Sequence, residues 1–247
     1  MRAPVRHGGL GGLAALVLLI SGLVGCTEDR ATDSREATGA VPVQISTSDG
    51  LRLDARLWDR GPSRVVIYLH EFREDQSAWW PEATLGHAGT SSLTLDFRGH
   101  GDSEGDHEDV EGMVHDVEAA VTFVRERGFQ RVMLVGAGMG AAVAIVAAVE
   151  VPDVTVVGLS APADFDAMDT VAVVELVADR VQLIAMREDI SAADSLHRFR
   201  ALPNVDSTTA RLYPGRGHGV EILDGTSDND VRARFETLLA EFWVAPN

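Results

Sequence analysis

The sequence predicts an α/β domain built on a doubly wound, mostly parallel sheet with an antiparallel hairpin at its N-terminal edge. Three observations carry that prediction. Short, nearly continuous apolar runs recur at Arg64 to Leu69, Ser92 to Asp96, Arg131 to Val135, Val154 to Leu159, Val181 to Met186 and Ala210 to Tyr213. Such runs suit strands buried on both faces of a parallel sheet. Helical patterns separate them, and the segments Val41 to Ser46 and Leu51 to Trp58 alternate polar and apolar residues around Ser48-Asp49-Gly50, a hairpin signal.

The clearest helix runs from about Glu111 to Arg127, where Val114, Val117, Val121 and Val124 share a face and Gly128 follows as a stop. Others are expected at Ala78 to His87, Met139 to Val149, Ser191 to Ala201 and Val231 to Trp243, with Asp75 placed to cap the first. Pro162 to Arg180 leaves no room for a large cap over the sheet, and no internal repeat is present. The length, 247 residues of which 45% are apolar, allows one sizeable core. A monomer is expected.

Residues 1–25 read as an export signal: Arg2 and Arg6 make a basic start, and an apolar stretch from Leu10 to Val24 follows, too short and glycine-rich for a membrane span. Leu23-Val24-Gly25-Cys26 resembles the lipobox of bacterial lipoproteins. That resemblance implies cleavage before Cys26, diacylation of its thiol, and a mature chain tethered to a membrane outside the cytoplasm. Cys26 is the single cysteine, so disulfides within the chain and cysteine-based metal sites are excluded. Residues 26–40 are polar and aperiodic, a flexible spacer, and the folded domain is expected over 41–247. Loss of residues 1–25 removes Arg2 and Arg6 and no acid, taking the formal charge from -17 to -19. So acidic a body repels nucleic acid, and no nucleic-acid partner is expected.

In doubly wound sheets ligands bind beyond the carboxyl ends of the strands. The segments there are His70-Glu71-Phe72, Asp96 to Ser103, Gly136 to Gly140, Ser160-Ala161-Pro162, Glu188-Asp189 and Gly215 to Gly219. Together they resemble the α/β-hydrolase superfamily, in particular its small capless branch similar to dienelactone hydrolases and short-chain esterases. Asp96-Phe97-Arg98-Gly99-His100-Gly101-Asp102-Ser103 is the most specific match. The resemblance covers the chain from about Val41 onward and implies a nucleophile elbow at Gly136-Ala137-Gly138-Met139-Gly140, an acid at Asp189 and a base at His218, in the family's order. It further implies an oxyanion hole from the backbone N–H groups of Met139 and Phe72.

One residue breaks the pattern. The elbow position where the family carries its serine is Gly138, which has no atom to attack with, so no acyl-enzyme can form there. Glu71 follows His70 where the common pattern is His-Gly, and a carboxylate turned inward would oppose a developing oxyanion. Two readings follow: a protein that binds a small ester-like ligand without covalent catalysis, or a weak or repurposed hydrolase of small esters or lactones in which His218 and Asp189 activate a water in the space left by the missing side chain.

Gly136-Ala137-Gly138-Met139-Gly140-Ala141 also matches a dinucleotide-binding turn, but the strand expected to supply a ribose-binding acid ends Leu159-Ser160-Ala161, without one. A nucleotide-binding oxidoreductase is therefore disfavoured, and no cofactor is expected. Ser103 and Ser160 lie where substitute nucleophiles would, yet both suit local backbone capping. His100, His107 and His115 with Asp102, Asp106 and Asp109 match no compact ligand spacing, so no metal is expected. Trp79 and Trp80 read as core.

Overall fold

The computed structural model describes residues 39–241 apart from 62, 87–88 and 225–228. The expected export signal, Cys26 and nearly all of the spacer lie outside the described residues, as does Trp243.

The hairpin is present as β1 (Val41–Ser46) and β2 (Arg52–Trp58), paired antiparallel. Next come β3 (Arg64–Leu69), a 3-10 turn (Gln76–Trp79) running into α1 (Trp80–Leu85), β4 (Ser91–Leu95), α2 (Met113–Glu126), β5 (Arg131–Ala137), α3 (Met139–Glu150) and β6 (Val154–Leu159). A two-residue ribbon, β7 (Asp164–Phe165) with β8 (Met168–Asp169), and α4 (Thr170–Val174) precede β9 (Val181–Met186), α5 (Ile190–Arg200), β10 (Ala210–Tyr213) and α6 (Asn229–Glu241). The sheet has eight strands in the order β1-β2-β4-β3-β5-β6-β9-β10, and every pairing from β4 to β10 is parallel. This is the predicted α/β class, with antiparallel pairing in the main sheet confined to its N-terminal edge and the β7–β8 ribbon forming a separate antiparallel pair.

Alternation along the strands divides the core. Val65, Ile67 and Leu69 of β3, with Val132 and Leu134 of β5, pack toward α2, α3 and α5, whereas Val66, Tyr68, Met133 and Val135 face Trp79, Ala83 and Phe235 on the side of α1 and α6. Helix α3 is apolar nearly all round and buries residues from Met139 to Ala148, the signature of a helix enclosed in the core. The helix expected at Ala78 to His87 begins as the 3-10 turn capped by Asp75, whose carboxylate accepts from the Ser77 N–H at 2.8 Å, and ends where Gly86 turns left-handed. Trp79 is fully buried, its indole donating to the Leu69 carbonyl at 3.0 Å.

A buried ionic knot holds the loop after β4. The Arg98 guanidinium, 1% exposed, donates to Asp116 of α2 (Nε–Oδ1 3.0 Å, Nη2–Oδ1 2.8 Å), to Asp109 at 2.5 Å and to Asp49 of the hairpin turn at 3.0 Å. The same Asp116 accepts from the Arg98 backbone N–H at 2.9 Å. Burial pushes the Asp116 carboxyl up, against the pull of Arg98. Asp116→Ala leaves the guanidinium buried with only its half-exposed partners and should destabilise the fold by about 3–5 kcal/mol, read as a lower urea midpoint.

Candidate active site

Because β4, β3, β5, β6, β9 and β10 run parallel, their carboxyl ends open on one edge of the sheet, and the loops singled out in the sequence gather there. Gly138 sits between β5 and α3 at φ 48°, ψ -116°, a backbone conformation that L side chains rarely adopt. Its flanking glycines are demanded by packing: a Cβ at Gly136 would lie 2.3 Å from the Gly140 carbonyl oxygen, and one at Gly140 2.3 Å from that of Leu69. The elbow turn is thus formed, and Gly138 presents no side chain from it.

Asp189 and His218 meet. Asp189 opens α5, and its two carboxylate oxygens divide their work: Oδ1 accepts from the Ala192 N–H at 3.3 Å, capping the helix, and Oδ2 accepts from His218 Nδ1 at 2.5 Å. The helix-start role and the histidine partnership are therefore held by one residue. His218 stands between Gly217 and Gly219, both left-handed, and the Gly219 N–H donates at 3.1 Å to Ser160 Oγ. Ser160 is itself left-handed at φ 52° and 1% exposed, a buried brace for the histidine loop. Ser103 is equally occupied, donating to the Asp96 carbonyl at 2.7 Å and accepting from the Asp54 N–H at 2.9 Å.

The space above Gly138 is filled from another strand. Glu71, in the loop after β3, turns inward and accepts from His218 Nε2 with Oε1 at 2.7 Å. A Cβ built on Gly138 would lie 2.6 Å from that oxygen, and one on Gly219 would lie 2.3 Å from Oε2. The carboxylate thus occupies the volume into which an elbow side chain would project, and the room foreseen there for a water belongs to Glu71. The sequence marked Glu71 as a departure without revealing its direction; the signal available was the coincidence of two glycines, at 138 and 219, facing one acid.

A second imidazole sets the Glu71 loop. His70 is fully buried; its Nε2 accepts from the Phe97 N–H at 3.1 Å, which leaves Nδ1 to donate to the Glu71 carbonyl at 2.8 Å. Burial lowers its pKa to about 4, so the ring is neutral and the tautomer is defined by its two bonds. The Glu71 carbonyl also accepts from the Glu74 N–H at 3.1 Å, closing a turn in which Arg73 is left-handed. Phe72 is 40% exposed, its ring 5.9 Å from that of Phe165 on β7, and Met139 is buried at the head of α3.

Of the remaining candidates, His100 is buried and hydrogen-bonded to the Arg98 carbonyl, while His107 and His115 are exposed beside Asp106 and Glu118. Among the described residues no group of three or more histidine, cysteine or acidic side chains could hold a metal ion, and no helix is long and apolar enough to cross a membrane.

Held by a carboxylate at each nitrogen, with the bond to Glu71 the larger influence, the His218 imidazole has its pKa raised to about 9 and is a cation at neutral pH. Glu71→Gln should bring it down toward 6.5, the value of a free imidazole, in an NMR titration of the ring. Since the folded value lies above the free one, the stabilisation is complete below about 6.5 and fades as pH rises through about 9. Native and Glu71→Gln chains should accordingly differ most in stability below neutrality and converge in alkali.

Residues 62–218, more than half of the chain, match the family model described as serine aminopeptidase, S33. An esterase of Pyrococcus furiosus is similar at 18% identity and a TM-score of 0.59, covering 82% of this chain and 88% of its own. An α/β hydrolase of a Penicillium species reaches a TM-score of 0.69 at 16% identity over 82% of this chain and 97% of its own. A putative α/β hydrolase of Agrobacterium tumefaciens gives 0.64 at 17% over 84% and 100%. No curated protein matches the sequence. With the family model matched over most of the chain and the fold shared with these hydrolases, the chain belongs to the serine aminopeptidase S33 family of α/β hydrolases.

Proposed function

We propose that this α/β-hydrolase-fold protein is tethered outside the cytoplasm by a lipid on Cys26, has lost serine-type acyl transfer, and uses the site at Glu71 and His218 to bind a small ligand. The observation that carries the reading is the Glu71 carboxylate seated over Gly138 and bonded to His218 Nε2. Three requirements of serine-type hydrolysis are unmet together. There is no hydroxyl at the elbow, the histidine nitrogen that would take its proton already carries one, and a negative charge stands beside the place where an oxyanion would develop. The same facts weigh against water activation by His218, which needs a neutral imidazole and an open space beside it.

Short-chain p-nitrophenyl esters and a fluorophosphonate probe test this on three proteins. The native chain should neither label nor hydrolyse. In Gly138→Ser the new hydroxyl competes with Glu71 for His218, and activity should stay low. Glu71→Gly combined with Gly138→Ser frees the imidazole and should raise ester turnover about 100-fold or more, a modest part of the ~10⁶ that a full triad supplies. Robust native turnover abolished by His218→Ala would overturn the reading. Tethering is tested separately: metabolic labelling with a radioactive fatty acid should tag the native chain and be lost in Cys26→Ser.

A further inference from the structure

We infer that the open edge of the sheet at β1 takes an extended basic peptide as a further strand, beside a cleft that the Glu71–His218 site does not use. Strand β1 is outermost and pairs with β2 alone. Hydrogen bonding in the hairpin decides which way its backbone faces. The Thr47 N–H donates to the Leu51 carbonyl at 3.0 Å, and bonded pairs in an antiparallel ladder alternate, so Ile45 and Val43 are the residues that bond to Leu53 and Ala55. The carbonyls of Arg52 and Asp54 fix the phase independently, since they turn the other way and accept from the Glu104 and Asp96 N–H groups at 3.0 and 2.9 Å. The N–H groups of Gln44 and Ser46, with the carbonyls of Pro42, Gln44 and Ser46, therefore point away from the sheet, and among the described residues nothing bonds to them. Pro42, which has no N–H, blunts one end of this edge and leaves the rest open.

A cleft of about 590 Å³ lies along that edge, between residues 44–48 and one stripe of α2. His115, Glu118, Thr122 and Glu126 fall three or four residues apart and share the stripe. Phe123 supplies an apolar wall, covered on one side by Arg127, whose guanidinium stacks 3.5 Å from the ring centre and donates to the Phe123 carbonyl at 3.2 Å. His115 Nδ1 lies 3.0 Å from Glu118 Oε2, which leaves the other oxygen of that carboxylate open. Glu126 is exposed and, among the described residues, carries no ion pair.

An open edge calls for an extended backbone, and the two carboxylates call for basic side chains. Their spacing suits one chain that offers both. Glu118 and Glu126 are eight residues apart on the helix, about 12 Å. Side chains four residues apart on a strand project from the same face about 13 Å from one another. A peptide with Arg or Lys at i and i+4 and an apolar residue at i+2 thus pairs its backbone with Gln44 and Ser46 and sets its cations against Glu118 and Glu126. Its middle side chain lies toward Thr122 and Phe123. The formal charge of the chain, -17, favours such a partner and opposes a second copy.

The test uses the full chain and a fluorescein-labelled peptide, TRTVTRT, in an anisotropy titration. The control is TRTVRTT, of the same composition but with its arginines on opposite faces. The matched peptide should bind about ten-fold more tightly, and Glu118→Gln combined with Glu126→Gln should remove most of that advantage. Amide exchange followed by NMR should slow at Gln44 and Ser46 when the matched peptide is added, the mark of backbone pairing that charge attraction alone does not leave. Equal binding of the two peptides, no binding by either, or unchanged exchange at Gln44 and Ser46 would each overturn the proposal. So would protection of those amides without peptide, whether by a concentration-dependent dimer or by residues 27–38, which removal of that segment would reveal.

Discussion

The imidazole of His218 donates at both nitrogens, to Asp189 on one side and Glu71 on the other, and the chemistry of the whole edge follows from that double clamp. A histidine serves as a base only while one nitrogen keeps a free lone pair. Here both are engaged as donors, and the ring is a cation wedged between two anions. Asp189, His218 and Glu71 form one electrostatic unit assembled from three loops at the carboxyl edge of the sheet.

The unit depends on supports that take no part in it. Neutral His70 ties the start of the Glu71 loop to the backbone after β4, through one donated and one accepted bond. That backbone is in turn anchored by Arg98, whose guanidinium reaches the hairpin turn, the following loop and α2 together. On the far side, Ser160 accepts a hydrogen bond from the residue after His218 and keeps the histidine loop against β6. Each brace is buried, where an unmet polar group is costly, so each is satisfied and each specifies a position.

The architecture was legible because both strand faces are apolar in β3, β5, β6 and β9 and because the hairpin alternates, patterns that reflect burial directly. Helix α3 was harder to read from periodicity, since a helix buried all round has none, and its place came from the glycine turn before it. The small ribbon at Asp164–Phe165 and Met168–Asp169 and the short α4 lacked the length for a pattern to emerge. Asp189 and His218 were marked by their positions after β9 and β10. The orientation of Glu71 was not, because a side chain's direction from a loop is decided by what the neighbouring loops leave empty. Composition alone does not say that Gly138 and Gly219 leave the same space.

Those two glycines also make positions 138 and 219 interdependent with position 71. With any side chain at position 138 or 219, the present seat of the carboxylate is blocked by atoms closer than 3 Å. The inward rotamer of Glu71 therefore requires glycine at both, and a side chain added at the elbow displaces the carboxylate or meets it. A single substitution there produces a state in which two side chains contend for one histidine.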